Sequence, residues 1–158
     1  IRATSTLGAG TTFIVLLPAT EQPAIPAPPV ISPSPTPVPR SLLLIEDEMQ
    51  VRDFMTQALT AFGYTVTAVG SITAARQRLS AAHSFELVVS DVILPDGTGP
   101  SLVRSLLTEQ PALPVLLISG HTGNTIEEHF PDIEPPPLLR KPFTLAQLFE
   151  ALQEVAGR

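Results

Sequence analysis

From Ser41 onward the chain alternates short apolar runs with stretches of helical period. Four of the runs stop at a polar residue: Leu42–Ile45 before Glu46 and Asp47, Leu87–Ser90 before Asp91, Val115–Ile118 before Ser119, and Leu138–Arg140 before Lys141. Runs this apolar predict strands buried on both faces, as in a parallel sheet covered by helices. Tyr64–Thr67 predicts a further short strand. Between the strands, Val51, Phe54, Met55, Ala58, Leu59 and Phe62 recur at helical spacing, and Gly63 ends that helix. Ser71 caps a predicted helix to about Ala81, with Ile72, Ala75 and Leu79 inward. Pro100 suits the first turn of a third helix to about Thr108. After Ser119, residues His121 to Phe130 allow a short helix only, because Pro131 and Pro135–Pro137 forbid continuation. The last helix opens on a capping box, Thr144 to Gln147, with Phe143 stapled on Leu148; Leu145, Leu148, Phe149, Leu152 and Val155 face inward.

Strand and helix therefore alternate through residues 41–158. That pattern predicts an α/β fold with right-handed crossovers and helices on both faces. In the flavodoxin-like (βα)5 doubly wound parallel sheet, strand order 2-1-3-4-5, the first and third strands lie side by side at the switch point. Glu46, Asp47 and Asp91 then meet at one sheet edge, with Ser119 and Lys141 from the next strands.

Upstream the pattern changes. Residues 1–18 hold Gly8-Ala9-Gly10-Thr11-Thr12-Phe13, then Ile14–Leu17 and Pro18, a glycine turn feeding a strand. This strand is expected to lack partners of its own here, and an ordinary hairpin strand is the plainer reading. Residues 19–40 form a linker: eight of the 18 prolines fall between Pro23 and Pro39, which predicts an extended, semi-rigid spacer. The chain enters mid-pattern at Ile1 and is read as a fragment of something longer.

Composition narrows the chemistry. The chain has no cysteine, so thiolate metal sites and disulfides are excluded, and a reducing compartment fits. A net charge of −6 argues against a nucleic-acid face. No apolar run approaches the roughly 20 residues of a membrane span. Three carboxylates in one small site repel one another unless a cation sits among them, and an all-oxygen donor set suits Mg²⁺. With the cation bound, one carboxylate becomes a nucleophile toward phosphorus, while the hydroxyl of Ser119 and the ammonium of Lys141, the only lysine, hold phosphoryl oxygens. Lys141-Pro142 is a candidate cis peptide. Taken singly, Glu46, Asp47 or Asp91 reads as a turn or helix cap, Ser119 as a turn residue and Lys141 as a surface cation; their joint occurrence at strand ends favours a site. His83, His121 and His129 read as exposed.

These residues resemble the receiver domain of two-component response regulators. The acidic pair Glu46-Asp47, Asp91 in Asp-x-x-Leu-Pro-Asp-Gly, Ser119 and Lys141-Pro142-Phe143 match throughout residues 41–158. The resemblance implies that Asp47 and Asp91 bind Mg²⁺ directly, that Glu46 acts through water, and that the backbone carbonyl of Ile93 completes the protein ligands. It implies that Asp91 takes a phosphoryl group from a phosphohistidine of a histidine kinase or histidine phosphotransfer domain. It also implies self-catalysed phosphorylation and dephosphorylation, and a cytoplasmic setting. The segment 1–18 resembles the last glycine box and final strand of a sensor histidine kinase ATP-binding domain, so the parent resembles a hybrid kinase, which a membrane can hold.

Two departures are visible. Receivers carry an aromatic switch residue three positions before the lysine, where this chain has Leu138, and the fourth helix is cut short by prolines. The usual output face, made by the fourth helix, fifth strand and fifth helix, is therefore expected to differ. Three rival readings are a degenerate receiver used only for docking, an aspartyl phosphatase and a nucleotide-binding module. The phosphatase needs a second Asp where Ile93 stands. The nucleotide module needs a glycine-rich loop where Glu46-Asp47-Glu48 stands.

Overall fold

The main sheet consists of five parallel strands: β3 (Ser41–Ile45), β4 (Thr65–Val69), β5 (Leu87–Asp91), β8 (Val115–Ser119) and β9 (Leu138–Arg140). Their order is β4-β3-β5-β8-β9, the arrangement expected from the sequence. The computed structural model describes residues 1–17, 40–81, 85–120 and 126–157. His83, His121 and the linker up to residue 39 lie outside the described residues. The chain divides into two units, Ile1–Val30 and Ile31–Arg158.

Alternation along each strand sends successive side chains to opposite faces, and both faces are covered. Leu43, Ile45, Val88 and Leu117 pack against Ala75 of α2 (Ile72–Ser80) and Leu102, Val103 and Leu106 of α3 (Gly99–Glu109). Leu42, Leu44, Val89, Leu116 and Ile118 pack against Met55 and Leu59 of α1 (Met49–Ala61) and Leu148, Phe149 and Leu152 of α4 (Leu145–Ala156). Phe62 stacks on Phe149 and ties the end of α1 to α4. Each fully buried Leu of this kind contributes roughly 1.5–3 kcal/mol through area removed from water.

The local signals act as expected at most boundaries. Gly63, at φ 93, follows the last turn of α1. Thr144 and Gln147 form the capping box of α4. Pro100 sits in the first turn of α3. Two points differ. The second strand of the sheet runs Thr65–Val69, later than Tyr64–Thr67. Phe54 and Leu145 are exposed, not inward. Phe54 has helical spacing but sits to one side of the stripe centred on Met55 and Leu59, and Leu145 is the first residue of its helix, ahead of the packed turns. After Ser119 only a four-residue 3-10 helix, Ile126–His129, is described, and it seats Ile126 and Phe130 in the core beside half-buried Leu138. His129 is exposed, as expected. Among the described residues no helix is long and apolar enough to cross a membrane.

The first unit corrects one expectation. Gly10–Ile14 (β2) does have a partner: it pairs antiparallel with Arg2–Thr6 (β1), from Arg2 opposite Ile14 to Thr6 opposite Gly10. The strand also ends at Ile14 and does not run to Leu17. Arg2–Thr6 carries no alternation of apolar residues; after Arg2 it holds only β-branched and small ones that fit a solvated ribbon, so its period is invisible.

One loop contact was not foreseen. After β5, Ile93–Leu94 (β6) and Gly97–Thr98 (β7) form a tiny antiparallel hairpin. At its tip, Asp96 Oδ1 accepts from the Ile72 N–H at 2.8 Å, and Oδ2 accepts from the Thr73 N–H and hydroxyl, each at 2.8 Å. Ser71 Oγ accepts from the Ala74 N–H at 3.2 Å. The orphan donors at the start of α2 are thus satisfied by two caps, one of them from a distant loop. The Thr73 and Ile72 hydrogen bonds hold the Asp96 carboxyl below its ordinary value. A group depressed in this way adds stability above its unfolded pKa and loses it as pH falls through the folded pKa. Asp96→Ala is expected to lower the melting temperature at neutral pH and to converge with the wild type in acid. Parallel melting curves from neutral pH to pH 3 would remove Asp96 from this role.

Candidate functional site

The switch point of the sheet puts the acidic residues together. Ile45, the last residue of β3, is the register partner of Ser90, one residue before Asp91. Glu46 and Asp47 therefore leave β3 beside the end of β5. One carboxylate oxygen each from Glu46, Asp47 and Asp91 lies within 4.8 Å of the others. Glu46 is buried, Asp91 is half-buried and Asp47 is exposed, so the cluster opens to solvent on the Asp47 side.

Lys141 closes the other side. It follows β9, and its backbone N–H donates to the Ser119 carbonyl at 2.7 Å. The Lys141-Pro142 peptide is cis. The ammonium reaches across β8 and donates to Glu46 Oε2 and to Asp91 Oδ2, each at 2.7 Å. Side-chain exposures are 3% for Glu46, 12% for Asp91 and 26% for Lys141, so the pair of bridges is poorly screened. Asp91 Oδ1 accepts from the Ile93 N–H at 3.2 Å. Ser119 is buried at the end of β8, one residue beyond Ile118, the register partner of Asp91.

Burial lifts the Glu46 carboxyl above its ordinary value, and the hydrogen bond and charge of Lys141 offset only part of this. Burial also pulls on the Lys141 ammonium, but hydrogen bonds to Asp91 and Glu46 outweigh it, and the net direction is upward. Lys141 therefore stays charged, and it neutralises one of three carboxylates. The donor set that remains is all oxygen, open on one side and formally anionic, which is the kind a hard divalent cation takes. A carboxylate oxygen able to attack phosphorus, an oxygen donor set able to take a cation and two groups able to hold phosphoryl oxygens are the parts that a phosphoryl acceptor needs.

The tertiary structure adds two residues that no sequence signal singled out. Gly99 is one: its N–H donates to the Val92 carbonyl at 3.0 Å, and it lies against the Asp91 carbonyl. The other is Arg52, whose guanidinium bonds the backbone of Glu46 and Asp47. A glycine just before Pro100 and a lone arginine one turn into α1 are the only traces they leave in the sequence.

Comparison with known proteins gives the family. The family model described as "Response regulator receiver domain" matches residues 42–153. The sensor kinase CckA of Brucella abortus is 33% identical over 116 residues, 73% of this chain and 12% of that protein. The receiver protein CpdR of the same organism is 29% identical over 119 residues, covering 73% of this chain and 96% of CpdR. The chain thus spans only a small part of the kinase and nearly the whole of CpdR. A crystal structure of a response regulator receiver protein from Sinorhizobium medicae superimposes with a TM-score of 0.67 at 29% identity, over 76% of this chain and 96% of that one.

Proposed function

The chain belongs to the response regulator receiver domain family, and on that footing we propose that Asp91 is its phospho-acceptor. The observation that carries this is the Lys141 bridge, 2.7 Å to both Glu46 and Asp91, beside the three-carboxylate cluster. Asp47, Asp91 and the Ile93 carbonyl would hold Mg²⁺, with Glu46 contributing through water. When bound, Mg²⁺ neutralises charge at the site and on the incoming phosphoryl oxygens. An Asp91 carboxylate oxygen attacks phosphorus, the P–N bond of the donor phosphohistidine breaks, and the imidazole leaves with the electron pair and takes a proton. Lys141 then exchanges an Asp91 oxygen for a phosphoryl oxygen, and the Ser119 hydroxyl donates to another. Water attack on the acyl phosphate later returns the carboxylate and releases inorganic phosphate.

The donor is a histidine kinase or histidine phosphotransfer domain. The parent chain is read as a hybrid sensor histidine kinase, with residues 1–18 as the end of its ATP-binding domain, 19–40 as a tether and 41–158 as the receiver. The glycine turn of the hairpin and the similarity to a sensor kinase support that reading.

The test is treatment with acetyl phosphate and Mg²⁺, followed by intact mass and peptide mapping. The wild type is expected to gain one acid-labile phosphoryl group at Asp91, and Asp91→Asn none. Modification that persists in Asp91→Asn would overturn the assignment. An unmodified wild type that binds Mg²⁺ would favour the docking-only receiver.

A further inference from the structure

The turn that carries two of the three carboxylates is held by a side chain the chemistry above does not use. Arg52 Nη1 donates to the Glu46 carbonyl at 2.7 Å and to the Asp47 carbonyl at 3.0 Å. The same turn is fixed on its other side, where the Glu46 N–H donates to the Val69 carbonyl at 3.1 Å. Arg52 is itself seated by its own N–H, which donates to the Glu48 carbonyl at 2.9 Å as α1 begins. These guanidinium contacts go to backbone oxygens, so they orient the turn without occupying the carboxylates.

Gly70 supplies the second, independent observation. A Cβ there would stand 3.0 Å from Arg52 Nη1, 3.6 Å from its Cζ and 3.9 Å from the Glu46 carbonyl oxygen. Gly70 is not among the positive-φ glycines, so its backbone does not demand a glycine. Room for the guanidinium is what it provides.

We infer that Arg52 is a positioning residue for the acidic site, and that Gly70 is small so that Arg52 can reach the Glu46-Asp47 turn. Three carboxylates at this spacing push one another apart. Lys141 restrains two of them, Glu46 and Asp91, from one side. Arg52 restrains the backbone of the pair from the other, through carbonyl oxygens that are not carboxylates. The inference rests on the cation-binding reading proposed above, and its test separates the two.

Mg²⁺ binding is measured by isothermal titration on the whole chain for wild type, Asp47→Ala, Arg52→Ala, Gly70→Ala and the Arg52→Ala/Gly70→Ala double variant, with urea unfolding alongside. Residues that orient metal ligands typically cost 10–100-fold in affinity when removed. Arg52→Ala is expected to bind Mg²⁺ roughly 10-fold more weakly while still unfolding cooperatively. Gly70→Ala is expected to weaken binding in the same direction by displacing the guanidinium. The double variant is expected to be no weaker than Arg52→Ala, because both changes remove one clamp. Wild-type affinity in Arg52→Ala, or losses that add in the double variant, would overturn the inference. If Asp47→Ala loses affinity while Arg52→Ala keeps it, the cation site stands and Arg52 has no part in it. If Asp47→Ala binds as well as wild type, the cation reading fails and the inference with it.

Discussion

Gly99→Ala is expected to destabilise the domain by about 3 kcal/mol or more, above the usual range of 1–3 kcal/mol for an added core methyl. A Cβ at this position would overlap the Asp91 carbonyl oxygen, and would lie 2.6 Å from Ser90 Oγ and 3.1 Å from the Asp91 carbonyl carbon. The first and last of these are backbone atoms of the central strand and cannot turn aside. Nor can residue 99 retreat easily, because its N–H is bonded to the Val92 carbonyl and it starts α3, which is anchored by Leu102, Val103 and Leu106. The requirement is for space rather than for an unusual φ, so any side chain larger than hydrogen fails. Adding Ser90→Ala is expected to recover little, since the hardest contact is with backbone. Urea unfolding measures the loss, and Mg²⁺ titration of the folded fraction is expected to show weaker binding because Asp91 is the residue displaced. A Gly99→Ala protein within about 0.5 kcal/mol of wild type, the range of ordinary surface changes, would show that the two backbones are not held as close as described.

Lys141→Ala is expected to cost about 1–3 kcal/mol at neutral pH. Breaking a buried ion pair from one side costs roughly 3–5 kcal/mol because a charge is left without its partner. Here Glu46 is almost wholly buried, but Lys141 is 26% exposed and Asp91 12%, so water replaces part of what is lost. Glu46 also has an escape. Its folded pKa already lies above its ordinary value because of burial, and the variant removes the opposing hydrogen bond and charge of Lys141, so it rises further. A raised carboxyl contributes stability that is present below its unfolded pKa and is lost as pH rises through the folded pKa. The gap between variant and wild type should therefore narrow toward pH 4 and widen toward neutral. In the wild type, the raised Lys141 pKa contributes stability below the ordinary lysine value that is lost in strong alkali, and the variant should lack that alkaline limb. Mg²⁺ should stabilise the variant more than the wild type, because it replaces the missing counter-charge. Phosphorylation by acetyl phosphate should survive, while the change in amide exchange of the loops after Asp91 and Ser119 should not. A pH-independent stability difference would mean that Lys141 acts by packing alone.

Leu138 stands where the receiver pattern has an aromatic. Leu138 is half-buried on the same sheet face as Ile126 and Phe130, so no ring there can swing between inside and outside. Besides its bridge to Lys141, Asp91 accepts from the Ile93 N–H, and Ile93 opens the small hairpin whose tip, Asp96, caps α2.

What the sequence determined by itself was the sheet, its order and which polar residues gather at one of its edges. Apolar runs that end in Glu46-Asp47, Asp91, Ser119 and Lys141 are local features, and the parallel topology then admits few ways to arrange them. The capping box at Thr144 and the helix stop at Gly63 are legible for the same reason, since a cap is read over four residues. Tertiary structure alone decided the rest. Phe54 has helical period, yet the angle of α1 on the sheet leaves it in solvent. Arg2–Thr6 has no period at all and becomes a strand only because β2 lies beside it. Arg52 and Gly99 meet backbone carbonyls around a turn, Asp96 takes N–H groups at the start of α2, and Gly70 leaves room for the Arg52 guanidinium. A backbone N–H or carbonyl carries no mark of residue type, so contacts made to it leave no pattern in the sequence, and only the folded chain brings the partners together.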